Sequence, residues 1–324
     1  MKYPFTVAII GSGYMGKRHM SVFCEKVERL ILCSNDEEGG KALAAQYGCA
    51  FYGDYKEMLK KEKVDVASVC VPTPFHASIT LDFLRAGVHV LCEKPFASSL
   101  EEAEEMIRVS RETGKLLMIA HCQRFYKKYE YLKHCIEDQR FGKLMYLNLF
   151  RHFGVPTWSV SNWLFDVNVS GGAVRDLHIH DTDLIHHYLG MPKCVLSTGN
   201  PVTCCTVYQY GNGVAVTASG TWRAAEAFEG VVGYDAGFEK AVVKAENRKM
   251  TVATDGGVIE IPLDEEKFPF DLSEDCYQNE IEYFCQCVQN GEQPTFCHPD
   301  HTLDTLRINM AEFQSLTTGE PVKL

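Results

Sequence analysis

Three glycines in the pattern G-x-G-x-x-G stand at residues 11, 13 and 16, directly after an apolar β-rich run over 5–10 and directly before a helical stretch over 15–27. Few features restrict a fold more tightly. A strand feeding a helix through so short a turn needs Gly11 for the bend, Gly13 to let a phosphate reach the backbone, and Gly16 to let helix and strand pack closely. The helix N-terminus then faces negative charge. Gly11, Ser12, Gly13, Tyr14, Met15 and Gly16 are accordingly assigned to a dinucleotide pyrophosphate. The competing reading is a glycine-rich turn with no ligand.

Up to residue 122 the chain alternates short β-rich runs (30–34, 64–71, 88–92, 116–120) with helical spacing (37–47, 55–61, 75–86, 100–113). Several of the β runs are apolar throughout, as strands buried on both faces are, and the alternation predicts an α/β Rossmann domain with a doubly wound parallel sheet over 1–122. Beyond it, a helix over 129–140, a strand over 143–153 and a helix over 172–189 lead into short β runs from 193 to 262. Those runs are broken by turn signals such as Gly211-Asn212-Gly213, and the last 50 residues return to helix. This predicts a second domain over 123–324, α+β with an open, mainly antiparallel sheet, for substrate binding and oligomerisation.

The 324 residues are 46% hydrophobic, enough for two packed cores, and carry a formal charge of -11. An acidic chain lacks the basic face that displaces counterions from nucleic acid, so a small-molecule partner is expected. No apolar run approaches the roughly 20 residues of a membrane span, and no signal-peptide core precedes the first strand, so the expected location is cytoplasmic. The fourteen cysteines are scattered through apolar segments and read as reduced, buried small residues.

An NAD site usually places an acidic side chain about 20 residues past the glycines, on the ribose 2′-hydroxyl. Ser34 holds that place, followed by Asn35 and Asp36. A small polar residue leaves room for a 2′-phosphate and leans the reading to NADP. Against it, no Arg or Lys adjoins Ser34, Glu37 and Glu38 oppose a phosphate, and Asp36 could still serve the ribose, so NAD stays open.

Lys94 follows an apolar strand in Glu93-Lys94-Pro95, at the sheet edge where open parallel sheets bind ligands. An ammonium there can stabilise charge on a reacting oxygen and relay a proton; alone, it would read as a solvated loop lysine. Downstream, Asp176, His180 and Asp183 fall at i, i+4 and i+7 of the 172–189 pattern, one face of a continuous helix. A histidine beside a carboxylate suits proton abstraction near neutral pH, although such a pair is more often a helix-face hydrogen bond.

Together, the glycine turn, the Val71-Pro72-Thr73-Pro74-Phe75-His76 loop, Glu93-Lys94-Pro95 and the glycine-led 171–180 segment resemble the glucose-fructose oxidoreductase, inositol dehydrogenase and MocA family (Gfo/Idh/MocA) over essentially the whole chain. The resemblance implies an NAD(P)-dependent oxidoreductase acting on a sugar or polyol, with Lys94, Asp176 and His180 as the catalytic constellation. It also implies cofactor contacts from Pro72, Thr73, His76 and Glu93, and a homodimer or homotetramer. Two departures stand out: His178 where the family commonly has glycine, and Ser34 in place of the acidic residue.

Gln123, Arg124, Arg151, His152 and Trp163 are further candidates for substrate hydroxyls or, for Trp163, a sugar face. Three rivals remain. His178, His180 and Asp183 could form a metallohydrolase site, although histidines two residues apart diverge on a helix. An NAD-dependent glycoside hydrolase, or a non-catalytic nucleotide- or sugar-binding protein, would keep the same fold.

Overall fold

The computed structural model describes residues 2–156, 163–164, 166–222, 225, 228–263, 266, 268 and 272–324. They form two compact units.

The first unit starts with strands β1 (Tyr3–Ile10), β2 (Val27–Cys33), β3 (Ala50–Tyr52), β4 (Val66–Val69), β5 (His89–Glu93) and β6 (Leu117–Ala120). Between them run helices α1 (Tyr14–Lys26), α2 (Glu37–Tyr47), α3 (Tyr55–Lys61), α4 (His76–Arg85) and α5 (Leu100–Thr113). The strands lie in the order β3-β2-β1-β4-β5-β6, all parallel. The order reverses between β1 and β4, the crevice at which doubly wound sheets take ligands. Every residue of β4 is buried, which explains its uniformly small or apolar sequence. Helix ends follow local chemistry: Asp36 caps α2 through Gly39 N–H, Ser99 caps α5 through Glu102 N–H, and both helices stop at a left-handed glycine, Gly48 and Gly114.

The second unit holds helices α6 (Lys127–Glu137), α7 (Val167–Ser170), α8 (Gly172–Asp176) and α9 (Ile179–Leu189). Its strands are β7 (Leu144–His152), β8 (Cys194–Asn200), β9 (Thr203–Gln209), β10 (Ala215–Thr221), β11 (Val231–Phe238), β12 (Val242–Glu246), β13 (Lys249–Thr254) and β14 (Gly257–Glu260). After α10 (Cys276–Asn290) and α11 (Pro299–Thr318), strand β15 (Val322–Lys323) completes a nine-stranded sheet ordered β14-β13-β12-β11-β7-β10-β9-β8-β15. The sheet is antiparallel except where β7 and β10 run parallel. Alternation sorts its faces: Cys204, Thr206 and Tyr208 of β9 are buried, while Thr203, Cys205 and Gln209 between them are exposed.

The two units do not follow a single cut at residue 122. Residues 275–303, placed by the sequence reading in the second domain, belong to the first unit. Helix α10 lies there against α1, with Lys26 paired to Glu282 at 2.7 Å and Arg18 paired to Asp275. All fourteen cysteines are free thiols, eleven of them buried, Cys24 and Cys49 half-buried, and Cys205 exposed.

Candidate functional site

The glycine turn has the shape a phosphate needs. Gly11 adopts φ +110°, and its N–H donates to Cys33 O at 2.8 Å. A Cβ there would lie 2.3 Å from Cys70 O, and one on Gly16 would lie 2.0 Å from Gly11 O. Side chains are excluded by backbone at both places. Gly13 begins α1 without a capping side chain, and the first turn carries no acidic residue. The leading N–H groups of α1 thus retain the positive end of the helix dipole, which suits a pyrophosphate. Tyr14 is exposed, Met15 half-buried. At the end of β2, Ser34 is buried with its hydroxyl 2.8 Å from that of Ser12, and it also accepts Asp36 N–H at 3.2 Å. Asn35 is exposed, and Asp36 directs Oδ1 to Gly39 N–H at 3.0 Å.

Lys94 is half-exposed just past β5, and its backbone is tied into the unit. Its N–H donates to Glu93 Oε2 at 3.2 Å, and Glu93 Oε1 lies 3.0 Å from His19 Nε2. The other nitrogen of His19 lies 2.7 Å from the Ser68 hydroxyl. Strand β4, helix α1 and the lysine turn are therefore linked through one histidine. Burial works against the charge on His19, but Cys70 and Glu93 outweigh it and hold the imidazole well above the ordinary histidine range. For Glu93, burial raises the pKa, yet His19 and Lys94 bring it below the usual carboxylate value. The pair is ionic. The sequence reading missed His19; its signal is a histidine in the buried stripe of α1, between Gly16 and Phe23.

His76, assigned to the cofactor, is buried with Nδ1 2.8 Å from Pro95 O and Nε2 2.8 Å from Val71 O. It straps the 71–75 loop, with half-buried Pro72 and buried Thr73, to the turn after Lys94, where the Lys94–Pro95 peptide is cis. Nearby, Glu280 of α10 is wholly buried, and neither of its carboxyl oxygens has a hydrogen-bond partner among the described residues. Burial, with Cys122 and Glu93, lifts its pKa well above normal, so it stands as a neutral acid.

In the second unit the 172–189 segment is two helices, not one. The chain breaks at Leu177-His178 between α8 and α9, so Asp176, His180 and Asp183 do not share the face of a continuous helix. Asp176 and His180 are half-exposed. Asp183 is buried and takes the Arg124 guanidinium side-on, Nε to Oδ2 at 2.8 Å and Nη2 to Oδ1 at 2.6 Å. Arg151 is likewise buried against Asp181 at 2.9 Å, and Gln123 accepts from it at 3.3 Å. These guanidiniums neutralise internal carboxylates, as buried charges require. His152, the next residue of β7, turns to the opposite sheet face and lies 2.9 Å from the Ser219 hydroxyl. Arg151 and His152 therefore cannot face one ligand together. Trp163 is half-buried beside the small cluster of Leu164, Ala173, Leu177 and Trp222.

The metal reading loses its nucleus. His178 is wholly buried, with Nε2 3.0 Å from the Thr206 hydroxyl, and burial with Arg151 pushes its pKa down to about 3. Among the described residues no group of three or more histidine, cysteine or acidic side chains is arranged to hold an ion. Among them, too, no helix is long and apolar enough to cross a membrane.

Residues 5–121 match an oxidoreductase family with an NAD-binding Rossmann fold, and residues 133–324 match the C-terminal alpha/beta domain of the same family, Gfo/Idh/MocA. The chain belongs to the Gfo/Idh/MocA family. Its relatives include inositol 2-dehydrogenase of Rhizobium meliloti, 25% identical over 88% of this chain and 89% of that protein. D-glucoside 3-dehydrogenase of Escherichia coli is 36% identical over 58% of this chain and 55% of its own length, so that match spans about half of the relative. A 2,7-anhydro-N-acetylneuraminate hydratase of Mediterraneibacter gnavus is 30% identical over 60% of this chain and 52% of its length. Among solved structures, myo-inositol 2-dehydrogenase of Lactobacillus plantarum superposes with a TM-score of 0.83 at 25% identity, covering 99% of both chains. The parallel Rossmann sheet and the mostly antiparallel second sheet are thus the architecture of this family of oxidoreductases.

Proposed function

We propose that this Gfo/Idh/MocA protein transfers hydride between a nicotinamide dinucleotide and a hydroxyl-bearing carbon, or the matching ketone, of a sugar, cyclitol or related polyol. The observation that carries the reading is Lys94. It stands at the C-terminal edge of the parallel sheet, and the Glu93–His19 pair ties its backbone to the helix that opens at the glycine turn. When bound, the nicotinamide supplies the hydride acceptor or donor. Gly11 to Gly16 hold the pyrophosphate through backbone N–H groups, and Ser12 and Ser34 line the ribose end, where Ser34 leans the choice to NADP over NAD. Lys94 donates a hydrogen bond to the reacting oxygen and stabilises the charge that develops on it. His180 accepts the hydroxyl proton, and Asp176 orients the imidazole or binds a second hydroxyl. In this reading the cofactor-bearing unit is residues 1–122 with its returning segment, and the substrate is met by residues from 123 onward. A homodimer or homotetramer in the cytoplasm completes the proposal.

The test offers myo-inositol, scyllo-inositol, D-glucose, D-xylose and a methyl glucoside with NAD and NADP, following absorbance at 340 nm. A rise with at least one polyol is the expected result. Lys94→Ala and His180→Ala then each lose about 10²- to 10⁴-fold in turnover with the cofactor still bound. Near-normal turnover in either variant removes that residue from its role, and a tenfold preference for NAD reverses the cofactor choice. The alternative on the same fold is a glycoside hydrolase in which tightly held NAD serves without net oxidation. Glycoside conversion with no change at 340 nm is its signature.

A further inference from the structure

Beneath the inner face of the nine-stranded sheet, a glutamic acid side chain is buried where an apolar residue would pack without polar partners. Glu312 of α11 is wholly buried, as are Thr182, His178 and Asn309. Glu312 accepts from Thr182 Oγ1 at 2.9 Å, from Tyr208 Oη at 2.7 Å and from Asn309 Nδ2 at 2.9 Å. These donors belong to different elements. Asn309 also donates to Val174 O of α8 at 2.9 Å, and Thr182, on α9, also lies 3.1 Å from His178 O. Tyr208 Oη lies 3.3 Å from His178 Nε2. Asn309 and Glu312, one helical turn apart, therefore grip both sides of the Leu177-His178 break. His180 is carried directly on that break, its N–H donating to Leu177 O at 3.3 Å.

We propose that Glu312 is a positioning residue for the reaction: through Thr182, Tyr208 and Asn309 it staples α8 to α9 and sets the direction of His180. The turn at Leu177-His178 keeps local bonds, His178 N–H to Ala173 O at 2.7 Å and Asp181 N–H to His178 O at 2.9 Å, and the distant helix α11 adds a hold on each side of it through Asn309 and Glu312. The buried acceptor recruits three donors at once, and leaving them unpaired is costly. The inference rests on the proton-accepting role given to His180, and the experiment separates the two claims.

The probe is the His180 ring itself, read by histidine-selective NMR on the full chain and identified by its loss in His180→Gln. Glu312→Leu removes the acceptor. Glu312→Gln keeps one acceptor and can donate to Thr182 Oγ1, so it serves as the conservative rescue. The expected result is a displaced His180 resonance and a titration midpoint moved by about half a pH unit or more in Glu312→Leu, since hydrogen bonding and neighbouring charge set that midpoint. Glu312→Gln returns most of the wild-type behaviour. Should Glu312→Leu fail to fold, Thr182→Val and Tyr208→Phe each remove one donor and produce smaller displacements of the same kind. Unchanged His180 signals in the folded variants overturn the proposal. In parallel, turnover of the polyol that responds in the panel, with the cofactor it prefers there, is expected to fall about tenfold or more in Glu312→Leu, with little change in KM, because a misdirected base affects the chemical step. If His180→Ala abolishes turnover while Glu312→Leu keeps it, the staple is refuted and the role of His180 stands. If His180→Ala keeps turnover, that role is lost, and the NMR shifts alone decide the staple.

Discussion

At the scale of single residues, the cofactor side of this protein is governed by groups that cannot be exchanged for near relatives. Gly11→Ala places a methyl group 2.3 Å from Cys70 O at a φ of +110°. The backbone must shift, at a cost of about 1–3 kcal/mol, and dinucleotide binding should fall well beyond that of wild type in a fluorescence titration with NADH and NADPH. Two buried glutamates of the same unit should behave oppositely. Glu93 is the ionised partner of His19, so Glu93→Gln removes the charge that holds the proton on the buried imidazole and is expected to cost about 1–3 kcal/mol in urea unfolding. Glu280 is already neutral and has no hydrogen-bond partner among the described residues, so Glu280→Gln should change stability by less than about 1 kcal/mol. Equal effects from the two amides would contradict the assignment of charge.

At the scale of elements, local chemistry sets the ends of the helices in the first unit. Ser99 accepts Glu102 N–H at 3.2 Å, so Ser99→Ala should lower stability by about 1 kcal/mol, while Ser99→Asp should hold or raise it. Signals of this kind explain which parts of the structure were legible beforehand. Strands such as 30–34 and 88–92 are apolar because both sheet faces are covered, and the glycines at 11, 13 and 16 mark their turn by steric need alone. The 172–189 segment misled for the opposite reason. Its periodicity is helical on both sides of the break, and the staple that grips it comes from Asn309 and Glu312, more than 120 residues away in sequence. His19 escaped notice because a buried polar residue in an amphipathic helix declares itself only through its partner, here Glu93 on a distant strand. The place of β7 between β10 and β11 is likewise a matter of long-range pairing, invisible in alternation alone.

At the scale of the whole molecule, buried titratable groups give folding a pH dependence with opposing slopes. His89 accepts Leu116 N–H on Nδ1 at 3.0 Å, and burial, with Lys115, lowers its pKa to about 4, while that of His178 falls to about 3. The unfolded chain binds these protons below about pH 6.5, so both histidines weaken the fold as pH falls from 6.5 towards their folded values. Glu312 acts in the other direction. Burial lifts it to about 7 against the pull of Tyr208, Asn309 and Thr182, with Asp181 adding to the rise. Asp181 is itself paired to Arg151; neutral His178, and Cys204 and Tyr210 with raised pKa values, are the other titratable neighbours. Between pH 4.5 and 7 the folded chain keeps a proton on Glu312 that the unfolded chain has released, so stability must fall as pH rises through that window. Glu312→Gln lacks the titration. The variant should therefore gain on wild type by about 3 kcal/mol between pH 4.5 and 7.5. Urea unfolding of the second unit, followed through the fluorescence of buried Trp222, measures the difference directly. A constant gap between the two proteins across that range would mean that Glu312 is ionised throughout, with its three donors fully offsetting the cost of burying the charge.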